Sequence, residues 1–366
     1  MRARDLGIVI GDLAPGPLNA ITDVPGVRVG HTTLISGDGP LVVGEGPIRT
    51  GVTVIVPNAD PGRRPVFAGS HTLNGNGEMT GLEWVRESGM LTTAIGLTNT
   101  HSVGAVRDAL IAADIGSGGE VGRWSLPVVG ETWDGYLNDV NGQHVRPEHV
   151  FEALKAATSG PVAEGNVGAG TGTKAFGFKA GIGTASREVA AEHGGYAVGV
   201  LVQANHGRRS RLRVDGVPVG REIALSEVPG PEVPDVPTGS IIAVVATDAP
   251  LLPQQCRRLA QRVELGIARG GGGGENSSGD IFLAFATGNQ GLLPEDAERA
   301  PLAFEVAMLN NDHIDDLFWA TIEATEEAIL NSLVAAETMV GRDGITFHAL
   351  PHDRLVELMR RYGRLA

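Results

Sequence analysis

The residue with the clearest capacity for chemistry is a serine in the middle of the chain. Ser240 follows the turn residues Thr238 and Gly239 and opens an unbroken apolar run, Ile241 to Ala246. The run is rich in β-branched side chains, as in a strand buried on both faces. These residues fit a turn that simply leads into a strand. They also fit a self-cleaving bond, in which the Ser240 hydroxyl attacks the carbonyl carbon of Gly239 and hydrolysis of the resulting ester leaves Ser240 as a new N-terminus.

Two further apolar runs carry polar side chains at one end. Asn205 follows the run Ala197 to Ala204, and Ser278 and Asp280 precede the run Ile281 to Ala286. An amide at a strand end can donate a hydrogen bond to an oxyanion, although Asn also commonly opens a turn. If the strands that follow Ser240 and Ser278 are neighbours, their polar groups meet.

A third cluster lies in the segment V-V-G-E-T-W-D-G-Y-L-N-D. It brings the carboxylate of Glu131 and the aromatic rings of Trp133 and Tyr136 to the point where a strand becomes a loop. Such strand ends often line functional sites. A surface loop with a packed tryptophan is the alternative interpretation.

Composition limits the classes of partner and cofactor. The formal net charge of −14 makes nucleic acid and anionic membranes poor partners, and the single cysteine cannot form an internal disulfide. None of the ten histidines lies in an H-E-x-x-H pattern, so we expect no metal and no cofactor. Neither a leading apolar stretch of signal length nor an apolar run of roughly 18 residues is present, which predicts a cytoplasmic protein.

Apolar spacing predicts the elements around these residues. Residues Leu252, Cys256, Leu259, Val263 and Ile267 recur at helical spacing, which predicts an amphipathic helix over 250–269. A long helix is expected to begin at Asn311 or Asp312, after a strand over 302–308. The range 208–227 is interpreted as a hairpin. Residues 166–183 invite comparison with a phosphate-binding loop, but their spacing fails and favours glycine-rich antiparallel strands.

Several motifs, taken in their order along the chain, resemble those of one family, the DmpA-type L-aminopeptidase/D-esterase enzymes, which include the β-peptidyl aminopeptidases. The similarity runs over essentially the whole chain. It is carried by P-G-P-L-N-A-I-T-D-V-P-G-V-R-V-G-H, N-G-N-G-E-M-T-G, E-T-W-D-G-Y-L-N-D, G-F-K-A-G-I-G-T-A-S-R, V-L-V-Q-A-N, T-G-S and S-G-D-I-F-L-A-F.

The resemblance implies an α+β layered fold, an α-β-β-α sandwich like that of N-terminal-nucleophile hydrolases but with different strand connectivity. It also implies a single self-processed domain over 1–366, cut between Gly239 and Ser240 into an α fragment, 1–239, and a β fragment, 240–366. The processed heterodimers are expected to assemble as a homo-oligomer, a tetramer. Small peptides, amides or esters would be the substrates.

The resemblance also implies roles for individual residues. Ser240 matches the nucleophile, Asn205 the oxyanion-stabilising Asn, Tyr136 the active-site Tyr and Ser278 the serine near the nucleophile. Asp280 falls where members carry Glu or Asp. Its acidic role therefore carries over less directly.

The chemistry is consistent with these roles. A freed α-amine with a pKa of about 7.7 to 8 is a suitable base for a serine hydroxyl near neutral pH. An aminopeptidase must also hold the cationic amine of its substrate, and Glu131, close to Trp133, is the candidate by charge and placement. Two other functions stay open: an N-acyltransferase of related fold, although glutamate N-acetyltransferases use Thr where this chain has Ser240, and an unprocessed binding protein.

Overall fold

Two β-sheets pack face to face, and helices cover the outer face of each. The computed structural model describes residues 1–115, 124–231, 239–292 and 302–365. Buried apolar side chains form three clusters in this part of the chain, one between the sheets and one beneath the helices on either side. The predicted α-β-β-α layered fold is therefore confirmed.

The smaller sheet has four strands in the spatial order β1-β2-β5-β6. Their bounds are Arg28–Ser36 (β1), Ile48–Val56 (β2), Ile95–Asn99 (β5) and Val128–Thr132 (β6). The β1–β2 and β2–β5 pairs are antiparallel, whereas β5 and β6 run parallel. The outer face packs against helices α2 (Val103–Ile115) and α3 (Pro147–Ala156). Glu131 lies in β6, one residue before its end.

The larger sheet has six strands in the spatial order β4-β3-β12-β11-β10-β9. Their bounds are Met90–Leu91 (β4), Val66–Gly75 (β3), Ser278–Ala286 (β12), Gly239–Thr247 (β11), Ala197–Asn205 (β10) and Ile182–Glu188 (β9). Only β11 and β12 pair in parallel among these strands; the other pairs are antiparallel. The two central strands therefore start at the same edge of the sheet.

Strand β11 shows why this part of the sequence is continuously apolar. Ile241 and Val245 point into the cluster beneath the outer helices, while Ile242 and Val244 point into the cluster between the sheets. Because successive side chains of a strand face opposite sides, a strand covered on both faces needs an apolar residue at every position.

Helices α5 (Pro253–Arg269) and α6 (Asp315–Val334) cover the outer face of the larger sheet. The prediction of an amphipathic helix over 250–269 is confirmed, starting with Pro253 in its first turn. Helix α6 is buried on almost all sides, and glycines allow its close approach. A Cβ at Gly183 would lie 2.0 Å from the Ala328 carbonyl oxygen, and one at Gly266 would lie 2.7 Å from that of Ile322.

The remaining elements are short. They are α1 (Leu82–Ser88), α4 (Val219–Glu222), α7 (His352–Arg361), β7 (Lys174–Ala175), β8 (Phe178–Lys179), β13 (Met339–Val340) and β14 (Thr346–Phe347). β7 pairs with β8 and β13 with β14, both antiparallel. Only part of the expected glycine-rich antiparallel structure is present over 166–183, since a 3-10 turn occupies Gly168–Gly170.

The strand predicted over 302–308 is wrong. These residues are irregular and exposed, although Leu302, Phe304, Val306 and Met308 alternate with less apolar residues. Alternation predicts a strand only where a neighbouring strand offers hydrogen bonds. Here the Ala307 N–H donates to the side chain of Asn289 instead, at 2.9 Å.

Two other sequence interpretations need correction. The range 208–227 is not a hairpin: a 3-10 turn, Arg209–Arg211, and helix α4 flank a single bridge between Val214 and Val217. The predicted helix start is also displaced, because the Asn310 side chain caps a 3-10 turn and α6 begins at Asp315. Thr238 and the preceding residues 232–237 lie outside the described part of the chain.

Candidate active site

Strand register places the candidate side chains at one edge of the larger sheet. Ser240 pairs with Asn205 on the β10 side and with Gly279 on the β12 side. Gly239 pairs with Ser278, and Asp280 pairs with the residue after Ser240. The expectation that the polar starts of the two strands meet is therefore confirmed.

The Ser240 hydroxyl is held directly at the bond that it is predicted to attack. Its Oγ donates a hydrogen bond to the carbonyl oxygen of Gly239 at 2.7 Å and accepts one from the Gly279 N–H at 3.2 Å. Ser240 is only 5% exposed. A backbone donor aimed at Oγ stabilises negative charge that develops there when the hydroxyl loses its proton.

Asp280 fixes the orientation of Ser278. The Ser278 hydroxyl donates to Asp280 Oδ1 at 2.6 Å, and the Asn74 amide donates to Asp280 Oδ2 at 3.1 Å. Asp280 also pairs in register with Ile241, whose backbone N–H favours the charged form of the carboxylate. Burial is the main reason that the pKa of Asp280 lies above its usual range, and the nearby carboxylate of Glu275 raises it further.

Asn205 is buried and held by two segments of the chain. Its Nδ2 donates to the carbonyl oxygen of Trp133 at 2.8 Å, and its Oδ1 accepts from the Lys174 N–H at 3.1 Å. Since a side-chain amide carries two N–H donors, one remains after the bond to Trp133. This fixed position suits a donor to a developing oxyanion.

Glu131 and Ser240 line the same cavity, which has a volume of about 530 Å³. One oxygen of Glu131 accepts from the Glu78 N–H at 3.0 Å, and the other accepts from the Thr100 hydroxyl. Burial raises the pKa of Glu131, while these two hydrogen bonds oppose the rise. The cavity therefore offers a carboxylate and a hydroxyl to one small molecule.

The two aromatic candidates occupy different positions. Trp133 lines the cavity, and Tyr136 packs edge-on against it, with ring centroids 4.9 Å apart. Tyr136 also packs against Phe347, with ring centroids 5.9 Å apart. Neither Tyr136 nor Asn205 is among the residues that line this cavity in the described part of the chain, although both contact Trp133.

Next to Trp133 lie two buried ionisable side chains, one acidic and one basic. Asp134 and Lys179 are both almost inaccessible to solvent, and Lys179 donates to the carbonyl oxygens of Gly170, at 3.2 Å, and Ala180. Burial raises the pKa of Asp134 to about 7, and it lowers that of Lys179 to about 7. Asp134 follows Trp133, and Lys179 lies opposite Lys174 in the β7–β8 pair, so both side chains belong to the segments that hold Asn205.

Comparisons with known proteins agree with this geometry. The sequence profile of peptidase family S58 matches residues 19–347, most of the chain. The chain belongs to peptidase family S58.

Among its relatives, it is 49% identical to the β-peptidyl aminopeptidase BapA of Sphingosinicella microcystinivorans, over 100% of this chain and 93% of that protein. Solved structures of aminopeptidases are also similar to the structure of this chain. A β-aminopeptidase from Burkholderia sp. has a TM-score of 0.92 and 56% identity, with 99% of each chain covered. The L-aminopeptidase D-Ala-esterase/amidase of Ochrobactrum anthropi, described as a variant of the Ntn hydrolase fold, has a TM-score of 0.90 and 43% identity, over 100% of this chain and 99% of that one.

Membership of S58 confirms the resemblance drawn from the sequence, and the chain is an aminopeptidase of the hydrolase class. The roles of Ser240, Asn205, Tyr136, Ser278 and Asp280 stay predictions. The structure nevertheless brings all five together, either directly or through Trp133.

Sequence reasoning missed several contributors to this site of the S58 enzyme. Asn74, Thr100 and the N–H of Gly279 all bind candidate side chains. Asn74 opens the N-G-N-G-E-M-T-G motif, and residues 75–78 of that motif line the cavity. A backbone N–H leaves no signature in the sequence, so Gly279 could be found only from the register.

Neither a metal site nor a membrane span is found in the described residues. Over 1–115, 124–231, 239–292 and 302–365, no three His, Cys, Asp or Glu side chains group in a way that could hold a metal ion. In the same ranges, no helix is both long and apolar enough to cross a membrane.

Proposed function

We propose that the chain cleaves its own Gly239–Ser240 bond and that the freed Ser240 is then the nucleophile of an aminopeptidase for small peptides, amides and esters. The observation that carries the proposal is that Ser240 and Glu131 line one cavity. A nucleophile and an amine-binding carboxylate must share a cavity if the enzyme is to cut next to an N-terminal residue.

The first reaction is an acyl shift within the chain. Ser240 Oγ attacks the carbonyl carbon of Gly239, the C–N bond breaks, and the hydroxyl proton passes to the nitrogen that leaves. The products are an ester on Oγ and a free α-amine. Water then hydrolyses the ester, which gives a carboxylate on Gly239 and restores the Ser240 hydroxyl. The 2.7 Å contact between Oγ and the Gly239 carbonyl oxygen supports this step because it holds the hydroxyl beside the bond to be cut.

The second reaction acts on substrate. Glu131 holds the substrate ammonium group, and the α-amine of Ser240 removes the hydroxyl proton as Oγ attacks the substrate carbonyl. Asn205 donates its second N–H to the oxyanion. The leaving amine takes the proton, and water later releases the acyl group from Oγ. Asp280, the register partner of Ile241, stabilises the ammonium form of the neighbouring α-amine.

The decisive variant is Ser240→Ala. We expect the wild type to give two bands on denaturing electrophoresis and a new N-terminus Ser-Ile-Ile-Ala, while Ser240→Ala stays one chain of 38.0 kDa without hydrolytic activity. Ser277→Ala is the matched control, because Ser277 lines the same cavity and should still allow cleavage. A Ser240→Ala chain that splits at this bond would disprove the mechanism.

Substrate panels then define the range of the enzyme. The names of the relatives include both β-aminopeptidases and an L-aminopeptidase that is also a D-Ala-esterase/amidase. Anilides of β-amino, L-α-amino and D-α-amino acids should therefore be compared in water without an acyl acceptor. Turnover under these conditions excludes an obligatory acyl transferase.

We also propose that the processed chains assemble as a homo-oligomer, a tetramer of heterodimers. The exposed apolar side chains of Leu302, Phe304, Val306 and Met308 support this, because monomeric proteins seldom expose such groups together. Light scattering after gel filtration should give a mass of about four times 38.0 kDa. A monomeric mass would rule the assembly out.

A further inference from the structure

A run of positive charge follows Asn205 directly. Residues 206–213 read H-G-R-R-S-R-L-R, which places four arginines within six residues of a chain whose formal net charge is −14. Like charges at this spacing repel one another unless carboxylates or bound anions neutralise them. The structure shows which of the arginines are neutralised and which are not.

Arg209 is used inside the protein. Its guanidinium lies 3.5 Å from the ring centroid of Phe178, and it donates to the carbonyl oxygens of Phe176, Gly177 and Val228. Burial lowers its pKa to about 10. Arg209 therefore fixes the segment to the body of the protein and leaves its neighbours Arg211 and Arg213 at the surface.

Arg211, Arg213 and Arg221 line a cavity of about 470 Å³, whose opposite wall is the backbone of Gly271, Gly272 and Gly273. The two walls touch. The Arg213 N–H donates to the Gly270 carbonyl at 3.0 Å, and a Cβ at Gly271, where φ is +97°, would lie 1.9 Å from the Arg211 carbonyl oxygen. Backbone contacts therefore fix the shape of the cavity, and a glycine is required where they are closest.

Among the described residues, the positive charge of this cavity is only partly balanced by protein groups. In the described part of the chain none of its three arginines forms an ion pair, whereas the nearby Arg269 and Arg364 each pair with a carboxylate. Of the lining residues that the structure describes, Glu275 alone is acidic. Three guanidinium groups and one carboxylate leave a net charge of +2 in a protein that is otherwise acidic.

We propose that Arg211, Arg213 and Arg221 form a binding site for a compact oxyanion group, a phosphate or a carboxylate. Guanidinium groups suit such ligands because their planar N–H donors match pairs of oxyanion oxygens. The small volume of the cavity and the net negative charge of the protein favour a small anion over a nucleic acid. Ser210, also in the lining, can add a hydroxyl donor.

The site is separate from the cavity of Ser240 but connected to it through the chain. The two cavities share no lining residue among those described. The arginine segment continues from β10, which ends at Asn205, and the glycine loop leads into β12, which begins at Ser278. Two sources of the bound anion are compatible with this arrangement. One is a free anion, and the other is the C-terminal carboxylate of a peptide substrate whose N-terminus lies in the cavity of Ser240.

Titration calorimetry with inorganic phosphate at low ionic strength tests the site without any reliance on catalysis. We expect one saturable site per chain in the wild type and an affinity at least tenfold weaker in Arg211→Gln/Arg221→Gln. The control Arg146→Gln/Arg257→Gln removes the same charge from two exposed arginines elsewhere and should bind within twofold of the wild type. Absence of saturable binding to the wild type, or equal affinity in both double variants, would overturn the proposal.

A kinetic comparison identifies the source of the anion, and this arm rests on the proposed aminopeptidase function. KM is measured for a dipeptide with a free C-terminal carboxylate and for its C-terminal amide. If the substrate supplies the anion, Arg211→Gln/Arg221→Gln raises KM severalfold for the acid alone, and phosphate competes with the acid alone. If the anion is a separate ligand, the ratio of the two KM values is unchanged, while phosphate binding still depends on the arginines.

Discussion

Replacing Asp280 by Asn should move the pH dependence of turnover in a direction set by the site. Asp280 pairs with Ile241 in the parallel register of β11 and β12, so the α-amine of a freed Ser240, one residue earlier, would lie roughly 6 Å from the Asp280 carboxylate. At an effective dielectric constant near 20, opposite charges at about 6 Å attract by about 3 kcal/mol, which corresponds to about 2 pKa units. Solvent reaching the cavity lowers this to about 1 to 2 units.

The sign follows from which form of the amine the carboxylate favours. A nearby anion stabilises the ammonium form and raises the pKa of the amine, so its removal lowers that pKa. In Asp280→Asn the acid limb of kcat/KM, which reports the base of the free enzyme, should therefore shift to lower pH by about 1 to 2 units, and kcat should fall.

The assay is a pH–rate profile on protein whose processing has been verified by intact mass. Asp248→Asn is the control, because this carboxylate follows the opposite end of β11 and accepts a hydrogen bond from the Ala197 N–H. Its profile should match that of the wild type. An acid limb that stays in place in Asp280→Asn, or that moves to higher pH, would refute the assigned role of Asp280.

Two other substitutions test the surroundings of the site. Glu131→Gln should raise KM for substrates with a free amine by about 10- to 100-fold, since a charge-assisted hydrogen bond contributes about 1.5 to 3 kcal/mol; an equal rise in KM for an ester that lacks an amine would argue against amine binding. Asp134→Asn should change the pH dependence of stability. The folded-state pKa of Asp134, about 7, lies above its ordinary 3.8, so its contribution to the free energy of unfolding is fully present below about pH 4 and is lost as pH rises to about 7. Denaturant titrations across this window should show a smaller fall for Asp134→Asn than for the wild type, and identical slopes would contradict the buried position of the carboxylate.

Much of the site could be predicted because its residues stand at the ends of apolar runs. Ser240 and Ser278 each precede a run long enough to be a strand, and both strands lie in the sheet centre, where apolar residues are needed on both faces. The pattern therefore predicted that the two serines belong to strand starts. The parallel register confirmed that they meet.

The sequence could not predict features that depend on a partner. Residues 302–308 alternate like a strand, but alternation does not show whether a sheet edge is available. The N-G-N-G sequence around Asn74 is typical of a turn, and nothing local indicates that Asp280, far along the chain, accepts a hydrogen bond from Asn74. Pairing between distant segments decides both cases.

The order of strands in the larger sheet determines how the protein can refold after cleavage. Strand β12 and all of β11 except its first residue, Gly239, follow the Gly239–Ser240 bond and lie between β3 and β10, which precede that bond. A cut at this bond would leave two chains that share one sheet through the β3–β12 and β10–β11 hydrogen bonds. The uncut chain folds in a first-order process, whereas denatured fragments would have to find each other in a second-order one. The intact peptide bond between Gly239 and Ser240 would then be needed only for the first folding of the chain. After cleavage, recovery from denaturation would depend on protein concentration.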